Sequence, residues 1–257
     1  MVSDRQGMLL PRQRTAARWW ALSRSPHTLL RALQYEALSG AQLPGIVLDV
    51  GGDERSGYHR LVRAERIETV NLNPDAHPTH ISDLEQPLAF PDHSFDHVIS
   101  LNTFEHLFND QLAIGEALRV LRPGGSFHVL VPFCHQVHGS PRDFSRHTAE
   151  WWAKTLEKHG ISDFFVEPLL WDRRSTGAAL ARVPRSIRAI VMAMALIDLG
   201  DVTWRVRSLF RRTNRLSRSE RRAIRDADDA SFALGYYIAG HKSPVPARDT
   251  QDRDGQG

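Results

Sequence analysis

Apolar positions in this chain follow two rhythms that alternate along its length. Over residues 12–40, Trp19, Trp20, Leu22, Leu29, Leu30, Leu33 and Leu38 recur at close to helical spacing, with breaks at Ser25-Pro26 and Gly40. This predicts a helical lead-in. Short unbroken runs follow. GIVLDVGG at 45–52, Ile67 to Leu72, His80 to Ser82, and FDHVISL at 95–101 after the turn PDHS predict strands one to four. Asn109 stands as the cap of a helix whose Ile114, Ala117, Leu118 and Leu121 share one face, and Pro123-Gly124-Gly125 is its stop. Ser126 to Phe133 reads as strand five. Thr148 caps a helix running to His159-Gly160, Phe164 to Leu170 reads as strand six, and strand seven comes only at Phe232 to Ala239. This alternation predicts an α/β fold, a mostly parallel sheet with helices on both faces.

The predicted organisation is a helical lead-in or lid over 1–40, a core over 41–171, an Arg-rich helical insertion over 172–228, a last core strand within 229–242, and a disordered polar tail over 243–257. The 257 residues suffice for one α/β domain with an insertion, and 41% hydrophobic with 25% charged residues is globular composition. Cys134 is the single cysteine, so there is no internal disulfide and no thiol cluster for a structural zinc, and no metal site is expected. Residues 1–24 lack the continuous apolar core of a signal peptide, and the reading is cytoplasmic.

Charge changes the picture of the insertion. Between Arg173 and Arg225, 14 arginines stand against Asp198, Asp201 and Glu220, a net of +11, so the remainder carries −8 against the overall +3. Ile187 to Leu199 is largely apolar over about thirteen residues, too short to span a bilayer. Three readings remain open: a helix lying on an anionic membrane, with peripheral contact through 182–212; a surface for RNA phosphates; or a core-packed lid with a solvated basic face.

The first glycine turn, Asp49-Val50-Gly51-Gly52-Asp53-Glu54, lies where open parallel sheets bind ligands, past the carboxyl end of a strand. It lacks the G-x-G-x-x-G spacing of a dinucleotide site, and no phosphate-loop motif is present, so NAD and ATP fit poorly.

VLDVGG at 47–52, SDLEQPLAFPDHSFDHVISLNTFEHL at 82–107 and LRVLRPGGSFHVLVPF at 118–133 resemble, in order and spacing, the motifs of class I S-adenosylmethionine (SAM)-dependent methyltransferases. GYYIAGHK at 235–242 resembles the antiparallel last strand of that Rossmann-like, seven-stranded fold. SGYH at 56–59 with HGSPRDFSRHT at 138–148 resembles a bacterial subgroup associated with polysaccharide, glycolipid and natural-product pathways. The resemblance implies SAM as cofactor. It implies that Asp49, Gly51 and Gly52 surround the methionine portion, that Asn71 stands in place of the usual ribose-binding acid, that Asp83 and the Leu84 backbone meet the adenine, and that Asn102 lies at the methyl-donor end. Asp53 and Arg55 occupy places where the family often has glycines.

A hydroxyl acceptor calls for a base that titrates near neutrality, which points to histidine. His106, His135, His138 and His147 follow strands four and five, and His138 and His106 are the candidate catalytic bases. Asp143 and Arg146 are expected to shape the site as an ion pair or to contact an acidic substrate. Cys134 is read as a small pocket residue, because VPFCHQ lacks the motifs of cysteine-dependent base methyltransferases. The N/D-P-P-Y/F loop of base N-methyltransferases is also missing after strand four, which argues against a nucleic-acid acceptor. The expected function is O-methylation of a sugar, glycolipid or secondary metabolite. The alternatives are an RNA methyltransferase and a SAM-fold binding protein without turnover.

Overall fold

The computed structural model describes residues 7–139, 142–196 and 218–244. Seven strands, β1 (Ile46–Val50), β2 (Arg66–Asn71), β3 (His80–Ile81), β4 (Phe95–Leu101), β5 (Leu121–Pro132), β6 (Asp163–Leu169) and β7 (Gly235–His241), form one sheet in the order β3-β2-β1-β4-β5-β7-β6. β1 to β5 pair in parallel, and β7 runs antiparallel between β5 and β6. The expected Rossmann-like α/β fold with an antiparallel last strand is present. The chain reverses its direction of travel across the sheet between β1 and β4, which opens a crevice at their carboxyl ends.

Successive strand residues point to opposite faces, so runs such as IVLDV must be covered twice. Leu48, Val50, Val98, Phe127 and Val129 pack under α3 (Asp110–Val120) and α4 (Ala149–Lys158). Val47, Ile99, Leu101 and Leu130 pack with Leu29, Leu33 and Leu38 of α2 (Leu29–Leu38) and with Trp171. The lead-in is thus two helices, α1 (Ala16–Arg24) and α2, and α2 forms one wall of the core. The Thr15, Thr28 and Thr148 side chains accept from backbone amides at the starts of α1, α2 and α4.

Three sequence expectations are corrected. Asn109 precedes α3 but makes no side-chain cap bond. Pro123-Gly124-Gly125 does not end a helix ahead of the strand: β5 already begins at Leu121, which pairs with Phe95, and the register shifts past Phe95. Strand seven starts three residues late, because Phe232 and Ala233 close the turn after a helix through amide bonds to Asp229 and Ala230.

In the Arg-rich stretch, α5 (Arg173–Leu180), α6 (Arg185–Leu196) and α7 (Arg218–Ala230) are helical. Residues 197–217, including the end of the apolar Ile187–Leu199 run, and residues 245–257 of the predicted tail lie outside the described residues. Arg14 bonds Asp226 and Asp229, and Arg173 bonds Asp228 and Asp229, so α7 is tied to the N-terminal segment and to α5. Trp19 and Trp171 donate their indole N–H groups to carbonyls of α6. Among the described residues, no helix is long and apolar enough to cross a membrane.

Candidate active site

The turn after β1 is gathered from three strands. Gly51 has φ +84°, and a Cβ there would lie 2.2 Å from Thr103 Oγ1; one at Gly52 would lie 1.9 Å from Asp49 Oδ2. Both positions therefore require glycine, Gly51 for its backbone as well as for space. The Val50 carbonyl accepts from Ser100 Oγ at 2.8 Å and Thr103 Oγ1 at 3.1 Å. Asn71 Nδ2 donates to the Gly51 carbonyl at 2.9 Å, and Asn71 Oδ1 accepts from the Asn73 amide at 3.0 Å.

Asp49 is fully buried, and burial raises its pKa above the ordinary carboxylate value. Its Oδ2 accepts from the Tyr58 hydroxyl at 2.7 Å and from His59 Nε2 at 2.6 Å, while Oδ1 has no partner. The SGYH segment thus closes over Asp49, a contact that the motif's adjacency to the glycine turn could have suggested. Asp83 follows β3, its Oδ1 accepting from the Glu85 amide at 2.9 Å, and Leu84 is buried in the α3-side core. Asp49, Gly51, Gly52 and Asn71 are brought into contact, whereas the bond found at Asp83 is to its own turn.

On the other side of the crevice, Asn102 adopts a left-handed backbone with φ +53°. Its Oδ1 accepts from Gln34 Nε2 at 2.5 Å, and its Nδ2 donates to Gln34 Oε1 at 3.3 Å. Gln34 is fully buried in α2 and was missed as a site residue; its signal is a lone polar position within that helix's buried set. A cavity of about 470 Å³ opens here, with Arg31, Gln34, Asn102, Pro132, His135 and His138 among its lining. A second cavity of about 370 Å³ carries His135 on its wall together with Arg182 and Arg188.

His106 and His138 meet ring to ring at 4.9 Å, and His138 meets His135 at 5.0 Å. Asp143 accepts from Arg146 through both oxygens, and this pairing holds its carboxyl down at about 2. The expected Asp143 to Arg146 ion pair is present. His147 stands apart, bonded to Asp110 at 2.5 Å and stacked on Trp151. Burial pushes the Cys134 thiol up, which disfavours the thiolate a nucleophile needs. Glu105, beside His106 just past the end of β4, is 3% exposed.

Residues 61–129 match the family model described as "Methyltransferase domain". The match takes in Asn71, Asp83, Leu84, Asn102 and His106, and stops short of Asp49, the glycine turn and His138. A search of curated proteins finds no match. Among solved structures, a chain of the complex containing the Haloferax volcanii Trm112 methyltransferase activator is similar at 17% identity, over 89% of this chain and 95% of that one, with a TM-score of 0.49. Haemonchus contortus phosphoethanolamine N-methyltransferase 2, in complex with S-adenosyl-L-methionine, is similar at 17% identity over 90% of this chain and 61% of that one, with a TM-score of 0.47.

Proposed function

We propose that the protein is a SAM-dependent methyltransferase that acts on a hydroxyl of a sugar, glycolipid or secondary metabolite. The observation that carries this reading is the methyltransferase-domain match running through β2 to β5 of a sheet whose β1 ends in a glycine turn. The residues fit the cofactor. Gly51 and Gly52 let the turn pack against Thr103 and Asp49 with no side chain of its own, and Asp49 Oδ1 beside it is a buried acceptor still lacking a donor. In this reading Asp49, Gly51 and Gly52 hold the methionine portion, Asn71 and Asp83 the nucleoside, with Leu84 beside the adenine, and Asn102 the end facing the acceptor. Bound SAM supplies a methyl group already activated on a sulfonium.

The chain's own work is positioning and proton removal. The cavity under α2 takes the acceptor, Gln34 fixes the Asn102 amide, and His106 or His138 accepts the hydroxyl proton. Ile187, Ile190 and Met194 are exposed on α6 between Arg182 and the C-terminal half of the insertion, which suits an acceptor with a lipid portion or contact with an anionic membrane surface.

Calorimetric titration with SAM and its demethylated product tests the reading. Wild type should bind both, and Asp49→Ala should weaken binding by roughly 1 to 3 kcal/mol, the cost of leaving a buried donor of the bound cofactor without its acceptor. Absence of SAM binding by folded wild-type protein overturns the proposal.

A further inference from the structure

Glu105 is the least satisfied carboxylate facing the acceptor side. It is buried, neither carboxylate oxygen has a hydrogen-bond partner, and burial pushes its acid up to about 7. Two imidazoles face it. One ligand atom each from Glu105, His106 and His138 lie within 4.8 Å of one another, and His106 Nε2 is 3.7 Å from Glu105 Oε1.

Each imidazole is also held from behind. His106 Nδ1 bonds the Arg142 carbonyl, which can only accept, so Nδ1 carries the proton and Nε2 presents its lone pair toward Glu105. His138 is held by its backbone amide, which donates to Asp143 Oδ2 at 2.8 Å, and its ring lies between that carboxylate and the Arg146 guanidinium, with Nδ1 at 3.2 Å from Asp143 Oδ2 and 3.4 Å from Arg146 Nη2. A backbone carbonyl behind the ring, as at His106, is how metal-binding imidazoles are oriented.

We propose that Glu105, His106 and His138 bind one divalent transition-metal ion of the zinc type at the acceptor end of the crevice. Two nitrogens and one carboxylate suit a borderline cation such as Zn²⁺ better than Mg²⁺ or Ca²⁺, which prefer all-oxygen shells. Bonds of about 2.0 to 2.2 Å need only a modest closing of the three side chains. Three protein ligands leave a fourth position open, where an acceptor hydroxyl would be polarised. This role rests on the methyl-transfer reading, and it makes the two histidines ligands in place of free bases, which departs from the sequence expectation of no metal.

The test is to strip the protein with a chelator, then titrate ZnCl₂ against a competing chromophoric chelator and follow CoCl₂ by its visible absorption. Wild type should take up one ion per chain. Glu105→Gln and His138→Ala should each lose affinity tenfold or more, with thermal unfolding confirming that both fold. No stoichiometric uptake by wild type, or unchanged affinity in both folded variants, overturns the inference. SAM titration of the same samples separates the two readings: SAM binding without zinc binding removes the metal site and leaves methyl transfer, while zinc binding without SAM binding does the reverse.

Discussion

The turn after β1 and the hollow after β4 and β5 sit on the same edge of the sheet and are built on opposite terms. At the turn, the Val50 and Gly51 carbonyls and Asp49 Oδ2 all have donors from neighbouring segments, and a single acceptor, Asp49 Oδ1, is left open. In the hollow, a buried carboxylate meets two imidazoles with no donor between them, and Arg146 Nε is buried without a partner. A network matched but for one acceptor has one arrangement, which suits a ligand of constant shape. Unmatched charge costs stability until a ligand arrives, which suits a site where the chemistry takes place.

The comparison is broken most forcefully at Gly51. Alanine there meets both a left-handed backbone and Thr103, and about 3 kcal/mol should be lost, roughly 1 to 2 from the backbone and 1 to 3 from the overlap. Gly124→Ala isolates the first part, since Gly124 also has positive φ but its Cβ would meet nothing within 4 Å. Urea unfolding of both variants should show the Gly51 change costing clearly more; equal losses would mean that the turn is not packed as described.

The next effect lies in the hollow and depends on pH. Glu105 ionises at about 7 in the folded protein against 4.5 for an ordinary glutamate. Between those values the unfolded chain releases the proton while the folded chain keeps it, so wild-type stability falls as pH rises through this window and levels above it. Glu105→Gln has nothing to titrate there and should gain on wild type by up to about 3 kcal/mol from acid to mildly alkaline pH, measured with chelator present. A pH-independent difference would show that the carboxylate is not buried and unpaired.

Smallest is Tyr58→Phe at the matched turn. Asp49 keeps His59, so the loss should be only about 1 kcal/mol by the same unfolding assay. A loss like that at Gly51 would mean that the tyrosine hydroxyl, and not the glycine geometry, holds the turn together.

Legibility in the sequence follows the same division. β4 is predicted residue for residue, because its apolar run is fenced by a turn on one side and a polar segment on the other. β5 and β7 are misplaced at their starts. Gly124 and Gly125 look like a stop, but Gly125 lies against the Asp96 carbonyl as a close strand contact, and Ala233 and Leu234 are as buried as strand residues while belonging to a turn. At the site, histidines following strands are visible as a pattern. The condition of Glu105 is not, because its burial depends on the segment of Phe144 and Ser145, whose amides reach back to the Glu105 carbonyl across the fold. Gln34 is hidden for the same reason: its partner, Asn102, is 68 positions away.

The placement of β7 between β5 and β6 bears on how the chain comes to be folded. During synthesis β1 to β5 can assemble in order as they emerge, but β7, which joins β6 to the rest of the sheet, ends at His241 and is made last; until then β6 has only the N-terminal segment to pair with, through the Leu9 amide to the Val166 carbonyl and the Val166 amide to the Gly7 carbonyl. For that interval β5 presents an open edge while the Arg-rich stretch is still being added. Closing the sheet on both sides of β7 therefore joins segments distant in sequence, the kind of contact that slows folding. The 14 arginines against three acids between Arg173 and Arg225 put like charge beside that open edge, and like charge opposes association of copies.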